Sequence, residues 1–174
     1  ALKLAEKAFS LKPKHEETQD VLISLQTLGS DWRGARKTLG AKLKYGSLPK
    51  DVHKRRDAVL ALSEAAEIIE TDKKMDAQVT AIEANRLSPD LVPAAVLVAK
   101  EYLADNKKKN AIKVIKKAWE SQPHPDLAAI YSEIYEGENS ADREKGFKLL
   151  AKMNPKHVET KTMMAEMYLQ AEDF

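Results

Sequence analysis

Apolar side chains recur along this chain at steps of three and four, the spacing that keeps them on one face of a helix. Ala1, Ala5 and Ala8, followed by Pro13, predict a helix over 1–11. Val21, Leu22, Leu25 and Leu28 predict one over 15–28, ended at Gly29. Ser30 or Asp31 then caps a helix in which Trp32, Ala35 and Leu39 face one side as far as Leu43. Residues 45–51 carry two breakers, Gly46 and Pro49, and read as a loop. A longer helix over 52–71 is expected to turn Val59, Leu62, Ala65, Ala66 and Ile69 inward. Asp72 caps the next, which runs to Leu87. Two helices around a short turn at Asp105-Asn106 fill 91–123. Another occupies 124–136, with Pro125 suited to a first helical turn, Asp126 to the positive end of the dipole, and Gly137 as terminator. Ser140 caps a helix containing Phe147, Leu150 and Met153, which ends at Asn154-Pro155. Residues 157–171 begin a further helix, and Asp173-Phe174 stands where Asp31-Trp32 stood, at a turn. The class is all-α, with about ten antiparallel helices and almost no strand.

Within this pattern the small residues repeat. Ala65 and Ala99, Ala77 and Ala111, Ala84 and Ala118, and Pro89 and Pro123 are each 34 residues apart. Four small residues in register make a repeat, and 34 is the period of the tetratricopeptide helical hairpin. Two helices that cross closely need alanine where their backbones meet, and proline ends the second helix because it cannot continue it. Large side chains fill the space between, Tyr102 in one unit and Ile68 in the one before. The step from Ala99 to Tyr102 recurs at Ala128 to Tyr131 and at Ala165 to Tyr168. The reading is a single tetratricopeptide domain, an α-α superhelix with units near 1–13, 15–49, 52–89, 91–123, 124–155 and 157–174. The loop at 45–51 is an insertion between units, which stacked repeats tolerate because each touches only its neighbours. The chain opens inside a helix and closes on Ala-Glu-Asp-Phe where another should start, so both ends read as cut from a longer protein.

Composition narrows the function more than the fold. Basic and acidic residues number 29 and 27, for a net charge of +2, which is not the basic excess of a nucleic-acid binder. The absence of cysteine excludes disulfides, thiolate catalysis and cysteine metal sites. The longest apolar run, Leu91 to Ala99, contains Pro93 and falls short of the ~20 residues needed to cross a bilayer. No glycine-rich phosphate loop and no Gly-x-Ser-x-Gly elbow occurs, so no catalytic residue, metal or cofactor is expected.

The polar clusters read mostly as surface. His15, His124 and His157 lie near a proline at a helix start, His53 lies elsewhere, and none forms a metal-binding pair. Lys107-Lys108-Lys109 and Lys54-Arg55-Arg56 lack the interleaved aromatics of a stacking platform. Trp119 sits beside Ala118 and is expected to pack on a neighbouring helix rather than to await a partner. A binding surface is expected where the first helices of successive hairpins line a groove. Positions one after and three before the repeat's small residue point into it: Asp20, Ser24, Leu62, Ala66, Val96, Lys100, Pro125, Ala129, Thr162 and Glu166. That set lacks the lysine and asparagine cluster that grips a peptide carboxylate, which disfavours a chaperone-tail receptor.

Several phrases go beyond the repeat. DWRGARKTL, LSPDLVPAAVLVAKEYL, WESQPHPDLAAIY and LAKMNPKHVETKTMMAEMYLQAEDF resemble the C-terminal region of HemY proteins over most of 31–174, most strongly over 88–133. The resemblance implies a bacterial inner-membrane protein linked to a late step of protohaem synthesis, with this domain on the cytoplasmic side. The family's anchor is absent from this chain, and membrane association would run through it. The implied role is a non-catalytic scaffold for protein partners, late haem-pathway enzymes among them, and not nucleic acid. Two other readings stay open: a peptide-binding adaptor unrelated to haem, and direct binding of haem or porphyrin.

Overall fold

The computed structural model of the chain describes residues 1–70 and 74–172. Among them ten helices follow in order: α1 (Leu2–Leu11), α2 (Glu16–Leu28), α3 (Trp32–Lys44), α4 (Lys50–Glu70), α5 (Lys74–Leu87), α6 (Val92–Ala104), α7 (Lys108–Ser121), α8 (Pro125–Ile134), α9 (Ser140–Ala151) and α10 (Val158–Glu172). The fold is all-α and tetratricopeptide-like, with consecutive helices packed in pairs. The expected caps at Asp72 and at the Asp173-Phe174 turn lie outside the described residues. Among the described residues, no helix is long and apolar enough to cross a membrane.

Two compact units divide the chain, Ala1–Ser88 and Pro89–Phe174. In the first, α2 packs on α3 and α4 on α5, and the contact of α3 with α4 links the two hairpins. Ala58, Ala61 and Ala65 of α4 and Ala77, Ala81 and Ala84 of α5 are all buried. With no side chain beyond Cβ at these points the two backbones approach closely, as the repeat requires. A small apolar cluster of Ala35, Leu39, Leu48 and Leu60 completes the core, with Trp32 packed on it.

In the second unit α6 packs on α7 and on α8, and α10 packs on α9 and α8. Ala99, Ala111 and Ala118 are fully buried, so every alanine matched across the 34-residue offset lies inside. The core here is larger and continuous, running from Val92 through Ile115, Trp119, Leu127 and Tyr131 to Phe147 and Met163. Between α8 and α9 aromatic rings take the place of alanines: Tyr131 and Phe147 meet edge to face at 5.4 Å, and Tyr135 joins them. Gly146 is the residue that admits this. A Cβ there would stand 2.3 Å from the Tyr135 ring.

Helix starts follow the side-chain chemistry with one shift. Asp31 caps α3 by accepting from the Gly34 N–H at 2.9 Å. Pro125 opens α8 with Asp126 in its first turn. Asn139, not Ser140, caps α9, accepting from the Asp142 N–H at 2.8 Å, because its carbonyl oxygen reaches the third helical amide.

The apolar stripe misplaces several side chains. On α2 only Leu22 of the four expected residues is buried, while Val21 and Leu28 are exposed. Gln19 and Gln26 take the inward positions instead. They can do so because Gln19 donates to the Pro13 carbonyl at 2.7 Å and Gln26 accepts from the buried Thr38 hydroxyl at 2.9 Å. Val59, Ala66 and Ile69 on α4 are exposed, since the alanines at 58, 61 and 65 fix which side of that helix faces α5. Ala1 and Ala8 are exposed and only Ala5 of α1 is buried. Tyr102 and Ile68 are half-buried rather than enclosed. Ala165 and Tyr168 are exposed because α10 turns Met163 and Met167 inward, two residues out of step with the pattern on α8.

Candidate binding grooves

Six of the ten sequence-derived groove positions line two clefts, one in each unit. In the first, α2 and α4 form the walls and α3 with the 45–49 loop forms the floor of a cleft of about 870 Å³. Asp20 and Ser24 stand on its α2 wall. Ile23, Leu39, Leu48 and Val52 give it an apolar base. Glu16 and Asp20 make one rim acidic, and Arg55 and Arg56 make the other basic.

Burial explains how the acidic rim is held. Lys42 comes up from α3 with its side chain 4% exposed, and its ammonium pairs with Asp20 and, at 3.3 Å, with Glu16. An ammonium that deep requires such partners. Asp20 therefore has a structural task whatever else it does: it ties α2 to α3. Ser47 donates to the Lys42 carbonyl at 3.1 Å and fixes the loop beneath the cleft. The loop read as a tolerated insertion is thus part of the floor. On the opposite rim Arg55 donates to Ser88 at 2.8 Å.

The second cleft, about 400 Å³, lies among α8, α9 and α10. Pro125 and Ala129 come from α8, and Thr162 and Glu166 from α10, so four more expected residues meet here. Arg143 of α9 crosses the base above the Phe147 ring, 5.7 Å from its centroid, and donates to Ser132 at 3.1 Å and to Gln170. Met163 and Met167 give the cleft a deformable apolar wall.

The remaining expected residues join neither cleft. Leu62 and Ala66 lie further along α4, beyond the point where the first cleft ends at Val59 and Leu60. Val96 packs half-buried against the core of the second unit, and Lys100 is exposed. Residues missed by the offset rule are Arg55, Arg56, Lys42 and Arg143. The signal for the first two was present, because they continue the stripe of Val59 and Leu62 one turn back along an unusually long helix.

The histidines and tryptophans have local tasks. The Nδ1 atoms of His15, His124 and His157 accept from the N–H groups of Thr18, Asp126 and Glu159 at 3.1 to 3.3 Å, so all three side chains bind the amides of helix starts. Trp119 is fully buried, as expected of a packing residue, and Trp32 donates to Glu67. An ion-pair cluster joins α3 to α4 and α5: Arg36 meets Asp57 at 2.6 Å, Glu83 at 2.8 Å and Glu64 at 3.7 Å, and Arg33 meets Glu64 at 2.7 Å. The hydrogen bond from Arg36 holds the Glu83 carboxyl below the usual carboxylate range.

No family model and no curated protein sequence matches the chain. Eleven chains of solved structures match. One is a thermophilic tetratricopeptide-repeat protein of Thermus thermophilus, similar at 14% identity with a TM-score of 0.40 over 97% of this chain and 89% of that one.

Proposed function

We propose that the chain is a non-catalytic scaffold that holds segments of partner proteins in its two clefts. One observation carries this reading. The cleft of the first unit combines an apolar base with an acidic rim on α2 and a basic rim on α4, at about 870 Å³. An apolar base with a few oriented charges is the composition of a recognition groove. A segment with small apolar side chains, a cation on the α2 side and an anion on the α4 side would satisfy both rims. Residues contributed by successive repeats give an extended surface, which suits gripping a chain rather than converging on a reacting atom.

Site-specific photo-crosslinking tests it. A photoreactive residue at Ser24 or Thr162, inside the clefts, should capture defined partners. The same group at Lys37, exposed on the far side of α3, should not. Arg56→Glu should weaken capture from Ser24 about tenfold, the order expected for losing one well-placed charge at a groove rim. Equal capture from all three positions would end the proposal.

The phrases shared with HemY proteins support a narrower version, in which the partners are late enzymes of protohaem synthesis and the domain works at the cytoplasmic side of the inner membrane. Recovery from Ser24 of specific partners, none of which belongs to that pathway, would remove the narrower version and leave the scaffold standing.

A further inference from the structure

The outer side of the second unit carries a feature that the clefts do not use. The buried residues of α7 are Ala111, Ile115, Ala118 and Trp119. At about 100° per residue, Lys109, Lys113 and Lys117 fall on the opposite face, with Lys116 at its edge. On α9 the buried residues are Gly146, Phe147 and Leu150, which puts Lys145, Lys148 and Lys152 on the side away from the core. Two ties join the ends of α7 to the residues flanking α9, start to start and end to end, so the two helices run in the same direction. Near their N-terminal ends Lys108 donates to Glu138, and near their C-terminal ends Asn154 donates to the carbonyls of Trp119 at 2.7 Å and Glu120 at 3.2 Å. Both helices press their apolar sides into one core, so their lysine faces look outward together.

Three lysines in the same stretches are neutralised, Lys107 and Lys108 off this face and Lys148 on it. Lys107 pairs with Asp105 at 3.0 Å, Lys108 with Glu138, and Lys148 with Glu144 at 2.6 Å. Among the described residues, Lys109, Lys113, Lys116, Lys117, Lys145 and Lys152 have no such partner. Residues 89–174 hold 13 basic and 14 acidic side chains, so the unit as a whole has no basic excess. Seven of the 13 cations lie on this side, with Glu120 among them on α7.

We propose that this face of α7 and α9 docks on an anionic lipid surface through Lys109, Lys113, Lys116, Lys117, Lys145 and Lys152. The composition decides between anionic partners. Arg143, the single arginine of residues 89–174, lies in the cleft, so the outer face has none of the planar forks that read phosphates or guanines in pairs. It has no aromatic ring for stacking bases. Lysine ammoniums on flexible stems are point charges, suited to a mobile layer of headgroups. Leu149, 45% exposed on α9 between Lys145 and Lys152, supplies an apolar side chain at the depth of the headgroup boundary. The docking is independent of the clefts and of what they hold, so either proposal can fail alone.

Flotation of the full chain with lipid vesicles tests this. Phosphatidylcholine vesicles containing phosphatidylglycerol should carry the chain, and pure phosphatidylcholine should not. Salt near 1 M, where screening acts within about 3 Å, should release it. Each lysine near an anionic surface raises partitioning about fivefold. Replacing Lys109, Lys113, Lys116 and Lys117 together by Gln should therefore lower partitioning on the order of a hundredfold or more. K145Q with K152Q should lower it about twenty-five-fold. Lys3, Lys7, Lys12 and Lys14 replaced by Gln should leave it unchanged, and circular dichroism should read the same helix content in every variant. Equal flotation with neutral vesicles would overturn the proposal. So would unchanged binding by the four-lysine variant, or capture by duplex DNA or polyglutamate under conditions in which anionic vesicles fail.

Discussion

The two units obey one spacing rule and are held together by different chemistry. In the first, α4 and α5 meet through alanines, and charge links them to α3, with Arg36 bridging Asp57, Glu64 and Glu83. In the second, Trp119, Tyr131, Phe147 and Met163 fill one apolar core, and the charges are spread outside. A 34-residue repeat therefore dictates where small residues must lie and leaves open what fills the space around them. The consequence is that the units should respond to different insults: the first to loss of charge, the second to loss of volume.

The largest effect should come from Trp119→Ala. This side chain is fully buried at the centre of the second core, and deleting such a ring costs about 3–5 kcal/mol. Hydrogen exchange read on peptides from each unit should show faster opening in α6–α9 and little change in α2–α5. Equal acceleration in both would mean that the two cores act as one. Tyr102, half-buried, should cost less on truncation than a ring enclosed on all sides.

Next comes Arg36→Leu. Its side chain is 19% exposed, and removing it leaves the largely buried Asp57 without its cation and Glu64 with only the exposed Arg33. The cost should be about 2 kcal/mol, below that of a fully enclosed pair because Glu83 is 41% exposed and screened. Its pH dependence has a definite sign. Arg36 depresses the Glu83 pKa in the folded state, so this part of the stability is complete above the ordinary carboxylate range and drains away as pH falls through the folded value. Urea midpoints measured from pH 7 down to about 3 should fall more steeply for the parent than for Arg36→Leu. Parallel curves would show that the cluster is not felt.

These contrasts bear on what could be read from the residues alone. The alanine register was legible because closeness of two backbones is a local demand that only small side chains meet: Ala65, Ala77, Ala84, Ala99, Ala111 and Ala118 are all buried. Of the offsets from that register, Asp20, Ser24, Pro125, Ala129, Thr162 and Glu166 line the two clefts, and Leu62, Ala66, Val96 and Lys100 do not. The α2 stripe was not. Gln19 and Gln26 become core residues only because Pro13 and Thr38 supply partners for their amides, and those partners are set by tertiary structure. Lys42 was illegible for the same reason, since its burial depends on carboxylates one helix away.

Ala99→Leu and Ala65→Leu place the same extra volume at matched positions, both fully buried. Overpacking should cost about 1–3 kcal/mol in either case. Ala65→Leu should be the worse, because the alanines buried at 61, 77, 81 and 84 hold α4 and α5 close together. The Ala99 site has half-buried Val96, Tyr102 and Leu103 in the same cluster, and these can adjust. Thermal midpoints of the two variants should differ in that order, and the reverse order would argue against alanine contact as what limits the first unit.

The smallest change is Tyr131→Phe. The Tyr131 hydroxyl donates to the Gly146 carbonyl at 3.0 Å inside the second core, and removing it should cost about 1 kcal/mol at neutral pH. Burial, with the Tyr135 hydroxyl beside it, pushes the Tyr131 pKa far above that of a free phenol. The folded state therefore keeps its proton where the unfolded chain would lose it. This contribution is complete below about pH 10 and is lost as pH rises beyond it. The second unit should thus weaken in alkali, where the first weakens in acid. In Tyr131→Phe the alkaline decline should be shallower by up to one proton's worth, about 1.4 kcal/mol per pH unit. An unchanged slope would mean that Tyr131 ionises while the unit is still folded, and that the core around it admits water.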